Sequence, residues 1–309
     1  MKDKGVAITG GAGFIGSNLA EELATSNSVI IVDDLSTGKK ENIASLLQKD
    51  NVKFIQGSIL DLKLLQECFR GVDFVFHLAA LPSVPRSLKD PQATNEVNIT
   101  GTLNVLLAAR DNKVKKVIYA SSSSVYGDTH ILPKNEDLLP CPESPYAVTK
   151  LCAEYYCQVF QQVYRLNTVC LRYFNVYGPR QDPSSEYAAV IPRFISRVHE
   201  GCPPIIFGDG EQTRDFTFIK DAVDANVLAA ESNAAGVFNI GTGNRITVNN
   251  LAKLIAKLLA KEAKPIYQEP RPGDIRHSLA DISKARQIGY NPQYSLEERL
   301  KETVNKWHQ

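Results

Sequence analysis

No run of the chain is apolar over the roughly 20 residues that a bilayer-spanning helix needs, so a membrane partner is not expected. Neither sign of charge is in excess: 35 basic against 34 acidic residues leave a net charge of +1. Such a balance lacks the one-signed field by which proteins hold nucleic acid or anionic lipid. The cysteines, at 68, 141, 152, 157, 170 and 202, form no C-x-x-C pair. The usual zinc and redox spacings are therefore missing; no metal site is expected, and the thiols read as reduced packing residues. The N-terminus passes straight into a strand, without the charged and apolar regions of a signal peptide, so the expected location is the cytoplasm. Repeats, low-complexity tracts and flexible linkers are absent too. What is present is 309 residues of 43% hydrophobic content, enough for a large core or two fused lobes.

The first half alternates strand and helix. Gly5–Thr9 reads as a buried strand, Gly10-Gly11-Ala12-Gly13-Phe14-Ile15-Gly16 follows, and a helix runs to about Ser26. Strand, glycines and helix in that order make a phosphate cradle: backbone approaches a pyrophosphate, and free N–H groups at the helix start meet its charge. The next strand, Val29–Val32, ends in Asp33-Asp34. An acid at that distance accepts hydrogen bonds from ribose hydroxyls and repels a 2′-phosphate, which favours NAD over NADP. Strands Val52–Ile55 and Val72–His77 flank a helical stretch, Asp61–Arg70, and the small residues Leu78-Ala79-Ala80-Leu81 leave room beside them for a cofactor. His77 reads as a packed strand-end residue. Thr94–Asp111 is expected to be helical despite Gly101. Val114–Ala120 is a fifth strand, ending in the serine run Ser121–Ser124, and ligands of open α/β sheets sit at such carboxyl ends.

The stretch Ser144-Pro145-Tyr146-Ala147-Val148-Thr149-Lys150 opens a long helix. Ser144 is a good N-cap, Pro145 suits the first turn, and no Gly or Pro follows through Cys170. Tyr146 and Lys150, four apart, share a face. An ammonium beside a phenol favours the phenolate, as a positive nicotinamide would, which brings a group of ordinary pKa about 10 towards use as a base. Thr168–Tyr173 is a sixth strand. Past Arg180 the alternation breaks: Tyr187–Glu200, Asp221–Glu231 and Val248–Lys261 read as helices, and Ile205–Phe207, Arg214–Phe218 and Val237–Ile240 as strands. Arg214 and the string Arg271-Pro272-Gly273-Asp274-Ile275-Arg276-His277-Ser278 point to a second, anionic ligand, since arginines grip phosphate through paired N–H donors.

Taken together, these motifs resemble the extended short-chain dehydrogenase/reductases and, within them, the UDP-sugar 4-epimerases. The resemblance runs end to end and rests on Thr9–Gly16, His77–Ala80, Ser122 with Tyr126-Gly127, Tyr146 with Lys150, Arg172-Tyr173-Phe174-Asn175, Arg214-Asp215 and Arg271–Asp274. It implies an α/β fold: a Rossmann-type doubly wound parallel sheet over 1–180, with returning segments at about 219–245, and an interleaved, smaller mixed α/β lobe over 181–309 that binds the UDP-sugar. It implies NAD as cofactor, held by Gly10, Gly13, Phe14, Ile15, Gly16, Asp33, Asp34, Ser36, Thr37, Gly38, Ser58, Ile59, Leu78, Ala79, Ala80, Asn98, Ala120, Tyr173 and Val176 with Tyr146 and Lys150. For the substrate it implies Ser83, Ser122, Ser123, Ser124, Tyr146, Asn175, Ala189, Val190, Ile205, Phe207, Arg214, Val248, Arg271, Asp274 and Ser278. Tyr146 would be the acid and base at the carbon-4 hydroxyl, Lys150 would hold the nicotinamide ribose and lower the phenol's pKa, and Ser122 would pass the proton. A 4-keto sugar would turn about its pyrophosphate before re-reduction. A homodimer is also implied, pairing Thr94–Asp111 and the Tyr146 helix across a two-fold axis.

Two positions depart from or refine that pattern. Gly57-Ser58-Ile59 stands where the family often has Gly-Asp-Ile, which weakens the expected adenine contact. Ser278 is small where narrow-pocket epimerases carry Tyr. With Ser83-Val84-Pro85-Arg86, Ser122–Ser124 and the stretch Gly273–Ala285, it is similar to the UDP-N-acetylglucosamine 4-epimerases, whose site admits an acetamido group. Dehydratases and decarboxylases of this fold place an acid after the catalytic hydroxyl residue, and Ser123-Ser124 offers none. A uronic acid 4-epimerase stays open, since one arginine or serine suffices for a carboxylate. A non-catalytic NAD-binding regulator would have lost the Tyr or the Lys.

Overall fold

The computed structural model describes residues 1–182, 189–262, 264–271 and 273–306. Its centre is a seven-stranded sheet formed by β1 (Gly5–Thr9), β2 (Ser28–Asp33), β3 (Val52–Gln56), β4 (Phe74–His77), β5 (Lys116–Ser122), β6 (Asn167–Tyr173) and an edge strand, Gly236–Ile240. Every neighbouring pair is parallel. The order is edge strand, β6, β5, β4, β1, β2, β3. Parallel strands covered on both faces need continuous apolar runs. Val6, Ala7 and Ile8, or Val117 and Ile118, supply them with no exposure at all. One apolar layer lies on each face.

The order reverses between β1 and β4, so the connections leaving their carboxyl ends run to opposite sides and leave a crevice, the usual ligand position of such sheets. Gly10 closes its base. It has φ +72°, and a Cβ there would stand 2.6 Å from the Ala79 backbone nitrogen. Helix α1, Phe14–Leu23, starts at the crevice.

Three elements differ from the sequence expectation for local reasons. The helix that begins at Pro145 stops at Tyr164 rather than running towards Cys170: Arg165 adopts the left-handed region, φ 59°, and its N–H caps on Phe160 O. That reversal frees Thr168 to enter β6. Helical residues between Pro91 and Asp111 pass through a π-turn at Glu96–Thr100. Gly101 does not break them, because a Cβ there would press Ile59 Cδ1 at 2.4 Å; its smallness lets the helix approach. Arg214–Phe218 is two short strands, not one. Thr213–Arg214 pairs antiparallel with Ile246–Thr247, and Thr217–Phe218 parallel with Val176–Tyr177. Asp215 makes the switch: fully buried, its carboxylate accepts from Thr242 N, Thr242 Oγ1, Gly243 N and Ala280 N. Further on, the helix expected from Tyr187 is Val190–His199, with Tyr187 itself outside the described residues.

Candidate active site

A cavity of about 830 Å³ occupies the crevice. Its wall includes Gly10, Gly13, Phe14, Ile15, Gly16, Asp33, Asp34, Ser36, Thr37, Gly38, Ile59, Leu78, Ala79, Ala80, Ala120 and Tyr173, together with Tyr146, Lys150 and Ser83. The glycines have unequal tasks. A Cβ at Gly16 would stand 2.2 Å from Gly10 O, so this glycine serves the close approach of α1 to β1. A Cβ at Gly13 would meet only Gly10 O, at 3.2 Å. What a side chain there would fill is the cavity. Asp33, buried at the end of β2, accepts from Ala12 N (2.9 Å) and Leu35 N (2.8 Å), and burial still pushes its carboxyl above the ordinary value. A cradle of bare backbone at a helix start, with an acid at the tip of the next strand, fits a dinucleotide with a free ribose 2′-hydroxyl.

Other predicted cofactor residues lie behind that wall. Asn98 is buried: its Oδ1 accepts from Leu81 N (2.8 Å), and its Nδ2 donates to Leu81 O (3.2 Å) and Thr149 Oγ1 (3.0 Å). It ties the loop after β4 to the Tyr146 helix. The Ser58 hydroxyl accepts from Leu60 N at 3.3 Å, while Gly57 and Ile59 on either side line the cavity. Val176 pairs with Thr217 in a small sheet. His77 is packed between Thr9 Oγ1 (2.7 Å) and Thr102 Oγ1 (2.9 Å), and burial pushes its pKa down to about 3, so it stays neutral.

Tyr146 and Lys150 stand on the first two turns of the helix capped by Ser144, whose Oγ accepts from Ala147 N. Lys150 is 3% exposed; its ammonium donates to Ala120 O (2.7 Å) at the end of β5 and lies 5.9 Å from the Tyr146 ring centre. Burial pushes its pKa down to about 8. Tyr146 departs from the sequence expectation: burial raises its pKa, and the hydrogen bond from Ser122 offsets only part of that. In the free protein burial therefore outweighs the neighbouring groups, and the lowering expected of Lys150 calls on the positive charge of an oxidised cofactor as well. Ser122 also caps a short turn, accepting from Ser124 N (3.2 Å). Ser123 is half-buried, and Ser124 Oγ is buried with no partner among the described residues. An orphan hydroxyl beside this site fits a polar ligand group.

A second cavity, about 720 Å³, is walled by Phe207, Arg214 and Asp274 among the predicted residues, by Arg276 of the arginine string, and by Asp128 and Asp209, which motif spacing did not reveal. Arg271 stacks on Phe207, its guanidinium 3.7 Å from the ring centre. Arg214 Nη1 donates to Thr213 O (2.9 Å) and Arg276 O (3.1 Å). Asp274, raised by burial, faces both arginines. Asn175 donates to Asp215 O (3.0 Å), Ile205 pairs with Ile266, and Ala189 and Val190 begin the helix Val190–His199. Val248 starts a helix with its N–H on Gln212 O. Ser278 is 4% exposed, with its N–H on Thr213 O. None of these six lines either cavity; they build the frame around the second. Pro272 lies outside the described residues.

Comparisons with known proteins agree with this geometry. The model of the NAD dependent epimerase/dehydratase family matches residues 6–241. A UDP-N-acetylglucosamine 4-epimerase from Methanobrevibacter ruminantium M1, solved with UDP-N-acetylmuramic acid, is 45% identical, with TM-score 0.97 over 100% of this chain and 99% of that one. A UDP-glucose 4-epimerase from Thermotoga maritima, solved with UDP-glucose, is 41% identical, with TM-score 0.94 over 98% of each chain. A UDP-glucuronic acid 4-epimerase from Bacillus cereus, solved with UDP-glucuronic acid and NAD, is 38% identical, with TM-score 0.90 over 99% of this chain and 98% of that one. With its glycine cradle, strand-end acid and Tyr–Lys helix at the switch point of a parallel sheet, this chain belongs to the NAD-dependent epimerase/dehydratase family of extended short-chain dehydrogenase/reductases.

Proposed function

We propose that the enzyme inverts carbon 4 of a UDP-hexose, interconverting UDP-GlcNAc with UDP-GalNAc and, as a further activity, UDP-glucose with UDP-galactose. The observation that carries this reading is the meeting of Tyr146, Lys150 and the Ser122 hydroxyl on one side of a dinucleotide cavity, with serines and no carboxylate at positions 123 and 124. An acid there would be needed to expel water from an oxidised sugar; without one, oxidation and return are what the groups support. The relatives solved with UDP-sugars support the same class. The chemistry that NAD supplies when bound is reversible hydride uptake, which no side chain performs.

Tyr146 takes the proton of the carbon-4 hydroxyl and later returns it, Ser122 shares that hydrogen bond, and Lys150 stabilises the phenolate. Arg214, Arg271 and Asp274 hold the diphosphate and ribose at the second cavity. Binding energy from this remote end keeps an oxidised sugar in place while its ring turns. The lobes divide the work: 1–180 with 219–245 holds the dinucleotide, and 181–309 the nucleotide sugar. Incubation with UDP-GlcNAc, UDP-glucose or UDP-glucuronic acid, without added NAD, followed by separation of the products, tests the assignment. Lack of turnover of every UDP-sugar would sink it. One observation favours an acidic sugar instead: Arg86 lines the cavity wall that holds Ser83 and Tyr146, and a guanidinium suits a carboxylate. Turnover of UDP-glucuronic acid in preference to the acetylated sugar would select that reading.

Gly13→Val tests the cradle. Its backbone is extended and its neighbourhood open, so thermal stability should stay within a few degrees. The isopropyl group stands in the cavity, and NAD content of the purified protein should fall about tenfold or more. Full NAD occupancy in this variant would put the dinucleotide elsewhere.

We also propose a homodimer. Val148, Tyr155, Val159 and Val163 are 45–64% exposed on one face of the Pro145–Tyr164 helix, a stripe that water leaves uncovered at a cost. Val159→Glu with Val163→Glu should convert a dimer to a monomer in light scattering. A wild-type monomer at micromolar concentration contradicts the assignment.

A further inference from the structure

Glu154 lies one turn beyond Lys150 on the same helix and lines neither cavity, although its partner Ser121 lines the first. It is 4% exposed. A carboxylate is almost never hidden to that degree unless it is paired. Its pairing is complete. Oε1 accepts from Arg172 Nε (2.9 Å) and from Ser121 Oγ, and Oε2 accepts from Arg172 Nη2 (2.7 Å). Arg172, itself 4% exposed, stacks over the Tyr126 ring with its guanidinium 4.6 Å from the ring centre. One side chain of the catalytic helix is thereby bolted to β6 through a bidentate ion pair and to β5 through a hydroxyl.

The bolt engages β5 at a particular residue. Ser121 stands between Ala120, whose carbonyl accepts the Lys150 ammonium, and Ser122, whose hydroxyl meets the Tyr146 phenol. A shift of Ser121 moves both. The charge matters as well. The groups facing Lys150 are His77 from β4, Tyr119 from β5 with its ring centre 4.9 Å away, and Tyr146, Glu154 and Cys157 from its own helix. Of these, His77 is neutral, and burial holds the Tyr119 and Tyr146 phenols above their ordinary value. Glu154 is the one carboxylate in the set, and it acts against the desolvation that would strip Lys150 of its proton.

We propose that Glu154 is a positioning residue for the Tyr146–Lys150 pair, holding Ala120 and Ser122 in register with the helix and supplying the buried negative charge that keeps Lys150 an ammonium. This rests on the epimerase reading. Buried ion pairs are poor stabilisers compared with apolar replacements, so stability alone is a weak reason for one to stand under an active site. A role in orienting and charging the pair gives the reason.

The test is Glu154→Gln in the NAD-loaded enzyme, with kcat and KM measured from pH 6 to 10. Wild-type turnover is the control: if it fails with every UDP-sugar, the functional reading is at fault, not this one. Loss of the anion lets Lys150 deprotonate at lower pH, so the alkaline limb of kcat should move about one unit towards acid. At neutral pH kcat should fall roughly tenfold or more, with KM within about threefold, because the nucleotide end is untouched. Glu154→Gln leaves Arg172 buried without its partner, so Glu154→Gln/Arg172→Met, a pair with no charge, is made alongside it; with both charges gone it should show a smaller limb shift of the same sign. Ser121→Ala keeps the ion pair and cuts the tie to β5 at a residue that also lines the first cavity, so NAD content is measured with it; at full NAD content it should lower kcat about fivefold with the limb in place. A folded charge-free pair with the wild-type pH profile overturns the proposal, and so does an unchanged kcat in Ser121→Ala.

Discussion

Tyr146→Phe should lower kcat for any UDP-sugar by about three orders of magnitude, the size of effect expected when a positioned acid–base group is lost. The change removes a single oxygen. The ring stays in the cavity wall, the helix keeps its Ser144 cap, and the glycine cradle is untouched. Loss of the Ser122 hydrogen bond costs stability only about 1 kcal/mol. NAD content should therefore match the wild type, measured by release on denaturation, and KM for the UDP-sugar should change little. The separation of these quantities is the point: a variant that binds both ligands and does not turn over identifies the phenol as the reacting group. A kcat within tenfold of the wild type would show that another residue moves the proton. Burial holds the phenol above its ordinary pKa in the free protein, so Lys150 is not enough to prepare the base. Positive charge arriving with an oxidised cofactor favours the phenolate further.

Ser278→Tyr should change which sugar the enzyme accepts. The residue is buried on the segment that runs from the second cavity at Asp274–Arg276 to Lys134, whose N–H bonds Leu279 O. Its own N–H is fixed on Thr213 O, beside Arg214. A phenol has no space in so enclosed a position unless it extends towards the substrate. There it would take the volume of an acetamido group. Relative kcat/KM for UDP-GlcNAc over UDP-glucose should drop about a hundredfold, a large but attainable exclusion for a filled pocket. Stability should fall by about 1–3 kcal/mol through overpacking, which thermal melting would report. If the ratio of the two sugars is unmoved in a folded variant, size at position 278 does not select the substrate.

Local signals made much of the site legible. Glycines between a strand and a helix, an acid at the next strand end, and a Tyr and Lys one turn apart are contacts within short segments, so spacing alone carries them. Boundaries set by unusual backbone were not legible: a non-glycine left-handed cap at Arg165 ends the helix, and Asp215 splits a strand by gathering the backbone of two other segments. Asp128 was missed because it shares a cavity with Arg276 of the arginine string while lying 148 residues from it, joined by Arg276 N on Asp128 Oδ1. Asn98 was placed at the cofactor by resemblance, whereas its side chain spans from the Leu81 backbone to Thr149.

By itself the sequence determined the alternating apolar strands and helices, hence a parallel sheet with its crevice at a strand end, because hydrophobic periodicity and turn chemistry are properties of neighbours along the chain. Only the tertiary structure decided how acidic Tyr146 is and what holds Lys150. Burial and the Glu154–Arg172 pair depend on which distant segments are packed together, and the low dielectric they create sets the value of every charge inside.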